Sequence, residues 1–84
     1  MSLIIKSNGE TINCTPENGV SFRLPELQNT VNGYIEIVTL LNGKKMVINE
    51  EGRLKGLPHN EAATKLFGAD IVGDVLVCNS ELID

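Results

Sequence analysis

Two adjacent carboxylates, Glu50 and Glu51, sit inside the turn-forming run Asn49-Glu50-Glu51-Gly52, and a third acid, Asp74, follows Gly73 further along the chain. Paired carboxylates can bind a cation or contact a polar ligand. With the single histidine, His59, they would supply the acid and base of a hydrolase or a metal-dependent enzyme. The spacing argues against that chemistry. Adjacent side chains leave an extended backbone in opposite directions, so Glu50 and Glu51 need not share a site, and Glu-Glu-Gly is ordinary for an exposed turn. His59 has no neighbour at metal-ligand spacing and, beside Pro58, reads as an exposed loop residue. Asp74 is placed to satisfy backbone donors at the Gly73 bend, as short acids commonly do. Asn60 and Thr64 lie four apart on one helix face and join the polar set if that helix folds back over the preceding hairpin, although capping accounts for Asn60 without any ligand. The candidate site is therefore Asn49, Glu50, Glu51, Asn60, Thr64 and Asp74, with binding rather than catalysis as its expected work. No cofactor and no metal is implied.

Signatures of other chemistries are missing from the sequence. There is no GxSxG elbow, no GxGxxG, no HExxH, and Gly43-Lys44-Lys45 lacks the upstream glycine and the Ser or Thr of a phosphate-binding loop. Cys14 and Cys78 stand far apart in strand-like segments without a CxxC or Cys/His pattern, so they are expected to be buried free thiols.

With 84 residues, 42% of them hydrophobic and 21% charged, the chain is sized for one domain, residues 1–84, with one modest core. The net charge of −4 and the three aromatic residues, Phe22, Tyr34 and Phe67, argue against nucleic acid as a partner, because phosphate neutralisation and base stacking need clustered bases and exposed rings. That charge is also too sparse to imitate a phosphate backbone. No apolar run approaches the length that spans a bilayer and no leader pattern opens the chain, so no membrane partner is expected and the cytoplasm is the default compartment.

The elements that must position the candidate residues follow from four Asn-Gly pairs, at positions 8, 18, 32 and 42, each suited to a tight turn. Residues 3–6 and 11–14 flank the first pair as a hairpin. Leu24, Leu27, Gln28 and Val31 fall at helical spacing, with Pro25 fit for a first turn and Asn32-Gly33 for a stop, which predicts a short helix over 25–31. Residues 34–41 and 45–48 form the strongest hairpin, and the nearly unbroken apolar character of 34–41 predicts a central strand covered on both faces. Asn60 caps a second helix over 61–67 that Gly68 ends, and residues 71–78 return as a strand interrupted at Gly73-Asp74. The tail from Ser80 to Asp84 is too short to assign. Five strands in mainly antiparallel hairpins with two short helices make the class α+β.

Gly33-Tyr34-Ile35-Glu36, Asn49-Glu50-Glu51-Gly52, Gly56-Leu57-Pro58-His59-Asn60 with Ala63-Thr64, and Gly73-Asp74-Val75-Leu76 occur in this order. As an ordered set they resemble an uncharacterised family of small bacterial, phage and plasmid proteins catalogued only as a domain of unknown function. The resemblance covers residues 24–77 and leaves the N-terminal hairpin outside it, as a feature of this member. The family supplies no activity and no catalytic residue. What it implies is a phage or mobile-element accessory protein, of a kind that binds host proteins or sequesters small molecules.

The expected function is thus a non-catalytic binding domain acting on a host protein or by self-association, marked by an exposed apolar patch or sheet edge. The alternative is an oligomer that captures a small nucleotide-type ligand. For that, Arg23, Lys44, Lys45, Arg53, Lys55 and Lys65 would have to converge across a subunit boundary.

Overall fold

A computed structural model describes residues 2–83 of the chain. Its elements in order are β1 (Ser2–Ile5), β2 (Thr11–Cys14), α1 (Leu24–Val31), β3 (Ile35–Thr39), β4 (Lys45–Asn49), α2 (Glu61–Phe67) and β5 (Val75–Cys78). A single 3-10 turn over Ser80–Leu82 ends the described chain, and Asp84 of the unassigned tail lies outside the described residues. The five strands form one sheet in the order β2-β1-β5-β4-β3, with every neighbouring pair antiparallel. The class is α+β.

Local chemistry explains the boundaries. At Asn42-Gly43, Gly43 adopts φ 86° and donates to the Leu40 carbonyl at 2.9 Å, which turns β3 into β4 with the positive φ that glycine permits. At Asn32-Gly33 the left-handed residue is Asn32 itself, φ 62°, and it ends α1. The start of that helix is fixed by Glu26, whose carboxylate accepts the backbone N–H of Arg23 at 2.9 Å and of Glu17 at 2.8 Å.

The sheet is covered on both faces, by α1 on one and α2 on the other. Phe22, Leu27 and Val31 pack with Val47, Leu76 and Cys78 on the α1 face. Ile5, Met46, Val75 and Val77 pack with Leu40, Ala63 and Ile71 on the α2 face. Alternation along β4 and β5 feeds both layers, which is why all four residues of β5 are buried. No helix among the described residues is long and apolar enough to cross a membrane.

The strand expected at the centre is instead at the edge. β3 is the outermost strand of the sheet, Ile37 is 42% exposed, and the flanking Tyr34 and Leu41 are exposed as well. The physical reason is topological: α2 carries the chain back so that β5 inserts between β1 and β4. That insertion leaves the β3–β4 hairpin with only one further neighbour. A second correction concerns the thiols. Both cysteines are free and Cys78 is buried, but Cys14, at the end of edge strand β2, is only half-buried.

Candidate functional site

Asn49 builds the turn that the sequence singles out. It is the last residue of β4 and is buried. Its Nδ2 donates to the Val31 carbonyl at 2.9 Å and to that of Asn32 at 3.4 Å, while its Oδ1 accepts the Glu51 N–H at 2.8 Å. One side chain therefore joins the C-terminal end of α1 to the turn leaving β4, and the Gly52 N–H closes the turn on the Asn49 carbonyl at 3.2 Å. Only glycine fits there, since a Cβ on Gly52 would stand 2.8 Å from Val72 Cγ2. The two carboxylates diverge. Glu51 pairs with Lys55 at 3.7 Å across one exposed turn, and Glu50 lines a groove described below.

Asn60, Thr64 and Asp74 gather around residues 71–74 instead. Asn60 is 1% exposed; its Oδ1 accepts the Ala63 N–H at 3.1 Å as a helix cap, and its Nδ2 donates to the carbonyls of Gly73 at 2.8 Å and Ile5 at 3.0 Å. Thr64 Oγ1 accepts the Ile71 N–H at 2.9 Å. Asp74 Oδ1 accepts the Ser7 N–H at 2.9 Å, so its backbone partner lies at the first hairpin and not within its own bend. The six predicted residues thus form two groups, Asn49 with Glu50 and Glu51 at the end of β4, and Asn60 with Thr64 and Asp74 at the entry to β5.

Between these groups, on the α2 face of the sheet, lies a groove of about 320 Å³. Val38, Ile48, Phe67 and Val72 supply its apolar lining, and Glu36, Glu50, Arg53 and Asp70 its polar groups. Arg53 is already occupied, donating to the Asp70 carbonyl at 3.0 Å and lying 3.5 Å from the Asp70 carboxylate. The other Asp70 oxygen meets His59 Nδ1 at 2.8 Å, and His59 Nε2 meets Glu61 at 3.3 Å. His59 is exposed, as its loop position predicts, yet its ring is held between two acids. Glu36 and Glu50 enter no ion pair among the described residues. Sequence spacing missed Glu36, Phe67 and Asp70, and it offered Arg53 only as a phosphate ligand across a subunit boundary, because the four come from separate segments that only the tertiary fold brings together.

The outer edge of β3 borders this groove. The bonds from Glu50 N–H to the Tyr34 carbonyl, 2.9 Å, and from Leu40 N–H to the Lys44 carbonyl, 2.8 Å, make the even-numbered residues of this strand the ones that bond β4. The backbone groups of Ile35, Ile37 and Thr39 therefore point outward, with no strand beyond them among the described residues. Burial raises the thiol pKa of both Cys14 and Cys78, so neither is poised as a nucleophile. Among the described residues no group of three or more His, Cys, Asp or Glu side chains is arranged to hold a metal ion.

Comparison with curated proteins found no match, and comparison with solved structures found none either. A family model does match, over residues 1–82, and it takes in the N-terminal hairpin that the shorter resemblance left outside. Nearly the whole chain is thereby accounted for, and the protein belongs to the family described as a domain of unknown function, DUF3846.

Proposed function

We propose that this protein is a non-catalytic binding domain that engages a partner protein by strand addition along β3. The observation that carries the reading is the free outer edge of that strand, where outward backbone groups at Ile35, Ile37 and Thr39 lie beside exposed apolar side chains. The opposite edge, β2, is less suited. Its register with β1 also turns the backbone groups of Thr11 and Asn13 outward, but Ile12 is the one exposed apolar side chain of that strand, against Tyr34, Ile37 and Leu41 on and beside β3. A binding role also suits the polar side chains. Asn49, Asn60, Thr64 and Asp74 are spent on backbone fastening, and Arg53, Asp70 and His59 on one another. The resemblance to phage and plasmid chains extends the reading to an accessory protein acting on a host protein.

The test is affinity capture with paired edge variants. Ile37→Pro removes an outward N–H without touching the β3–β4 ladder, and Asn13→Pro does the same at β2. A stoichiometric partner retained by the wild type and by Asn13→Pro, and lost by a folded Ile37→Pro, is the expected result. A partner indifferent to Ile37→Pro overturns the assignment to β3.

A second reading, capture of a small ligand, draws on a hollow of about 400 Å³ lined by Tyr34, Lys55 and the polar side chains of Gln28, Asn29 and Asn32. An aromatic ring, amides and one ammonium group suit a nucleotide-type molecule. A thermal-shift panel of nucleotides tests it, since ligand at about 100 times its Kd adds roughly 2.7 kcal/mol of stability.

A further inference from the structure

Resting on the strand-addition reading, we infer that the segment received by β3 carries a basic side chain, Lys or Arg, at the position facing Glu36. Along β3, Glu36 and Val38 point to the α2 face and line the groove, while Ile35 packs on the α1 face. A strand added beyond β3 extends the sheet so that its own alternate side chains stand at the mouth of that groove. In antiparallel addition Ile37 exchanges backbone hydrogen bonds with the newcomer, which makes the position opposite Glu36 a non-hydrogen-bonded pair. In such pairs the two side chains approach most closely.

The charge at that position is one-sided. Glu36 and Glu50 are free of ion pairs among the described residues, and they share the groove with Asp70, whereas its one cation, Arg53, is bound to Asp70. The register Glu36↔Ile48 puts Glu50 two residues beyond the β4 partner of Glu36, so both carboxylates stand on the groove side of the sheet and make its mouth acidic. The apolar lining from Val38, Ile48 and Phe67 suits the methylene stem of a long basic side chain.

A second copy of this chain does not meet the requirement. Self-pairing of β3 about Glu36 sets that acid against its own counterpart, and pairing about Ile37 sets the two acids on the diagonal. The strand Ile35–Thr39 contains no base to offer in any register. Strand β2, Thr11–Cys14, offers none either. A basic segment of a different protein is the occupant that the charges select.

The experiment titrates isotope-labelled protein with short synthetic peptides of alternating Val and Thr that carry one central Arg, Gln or Glu. The Arg peptide is expected to shift the amide resonances of Ile35, Ile37 and Thr39 and to bind about two- to fivefold tighter than the Gln peptide, with the Glu peptide weaker still. Glu36→Gln with Glu50→Gln is expected to erase the Arg preference while leaving Gln-peptide binding in place. Equal binding of the Arg and Gln peptides at the edge overturns the basic-residue assignment and leaves strand addition standing. An Arg preference that survives the double substitution overturns it too, as does concentration-dependent protection of the edge amides without peptide, which would make a second copy the occupant. If no peptide perturbs those amides, both readings fall.

Discussion

Asn49 and Asn60 each use a single buried amide to hold three backbone groups in place. Replacing Asn60 by Ala leaves the carbonyls of Ile5 and Gly73 and the N–H of Ala63 without their partner in a region closed to water, at a cost of about 2–4 kcal/mol. Urea unfolding checks this, and Glu51→Gln, which disturbs only an exposed pair, is expected to stay within about 0.5 kcal/mol of the wild type. Glu26 gives a pH signature. The N–H groups of Arg23 and then Glu17, with help from the Arg23 charge, hold its carboxyl pKa below the ordinary value. A carboxylate whose pKa is lower folded than unfolded stabilises the fold at neutral pH. That contribution fades as the pH falls through the normal carboxylate range and is gone below the folded pKa. Unfolding experiments from about pH 7 to about pH 3 are therefore expected to show a shallower acid loss for Glu26→Gln than for the wild type. Asn60 was legible as a cap because its bond to Ala63 spans three residues. The role of Asn49 was not, because its partners Val31 and Asn32 lie 18 and 17 positions away.

Strands β3 and β5 show what a hydropathy pattern can and cannot say about an element. Both read as apolar runs, and both are strands. The hairpins were legible because Asn-Gly turns are local. Sheet position was not, because it depends on where α2 delivers β5. The consequence is measurable. Leu76→Ala removes a side chain that is 1% exposed in the central strand and is expected to cost about 2–5 kcal/mol, whereas Ile37→Ala at the edge is expected to cost less than about 1 kcal/mol. Chemical denaturation midpoints of the two variants give the comparison directly. Similar large losses at both positions would mean that Ile37 is covered in the folded protein. The turn at residues 49–52 belongs to this scale as well: Gly52→Ala forces a Cβ to within 2.8 Å of Val72 and is expected to destabilise by about 1–3 kcal/mol.

At the scale of the whole molecule, two helices on opposite faces close the core of the sheet, and the outer backbone edge of β3 is left open at the end of the strand order. The class and the two helices were readable from periodicity and caps. The groove was not, since its carboxylates come from β3, from the turn after β4 and from the loop after α2. With a net charge of −4 and free acids beside an open edge, the proposed association with a basic partner segment is expected to weaken as ionic strength rises. The most direct measurement of the central claim is amide hydrogen exchange along β3, free and with the captured partner or the Arg-bearing peptide. Free protein is expected to protect Glu36 and Val38, which bond β4, and to leave Ile35, Ile37 and Thr39 exchanging fast. Binding is expected to slow those three by about tenfold or more. Binding that leaves all three unprotected would contradict strand addition at β3.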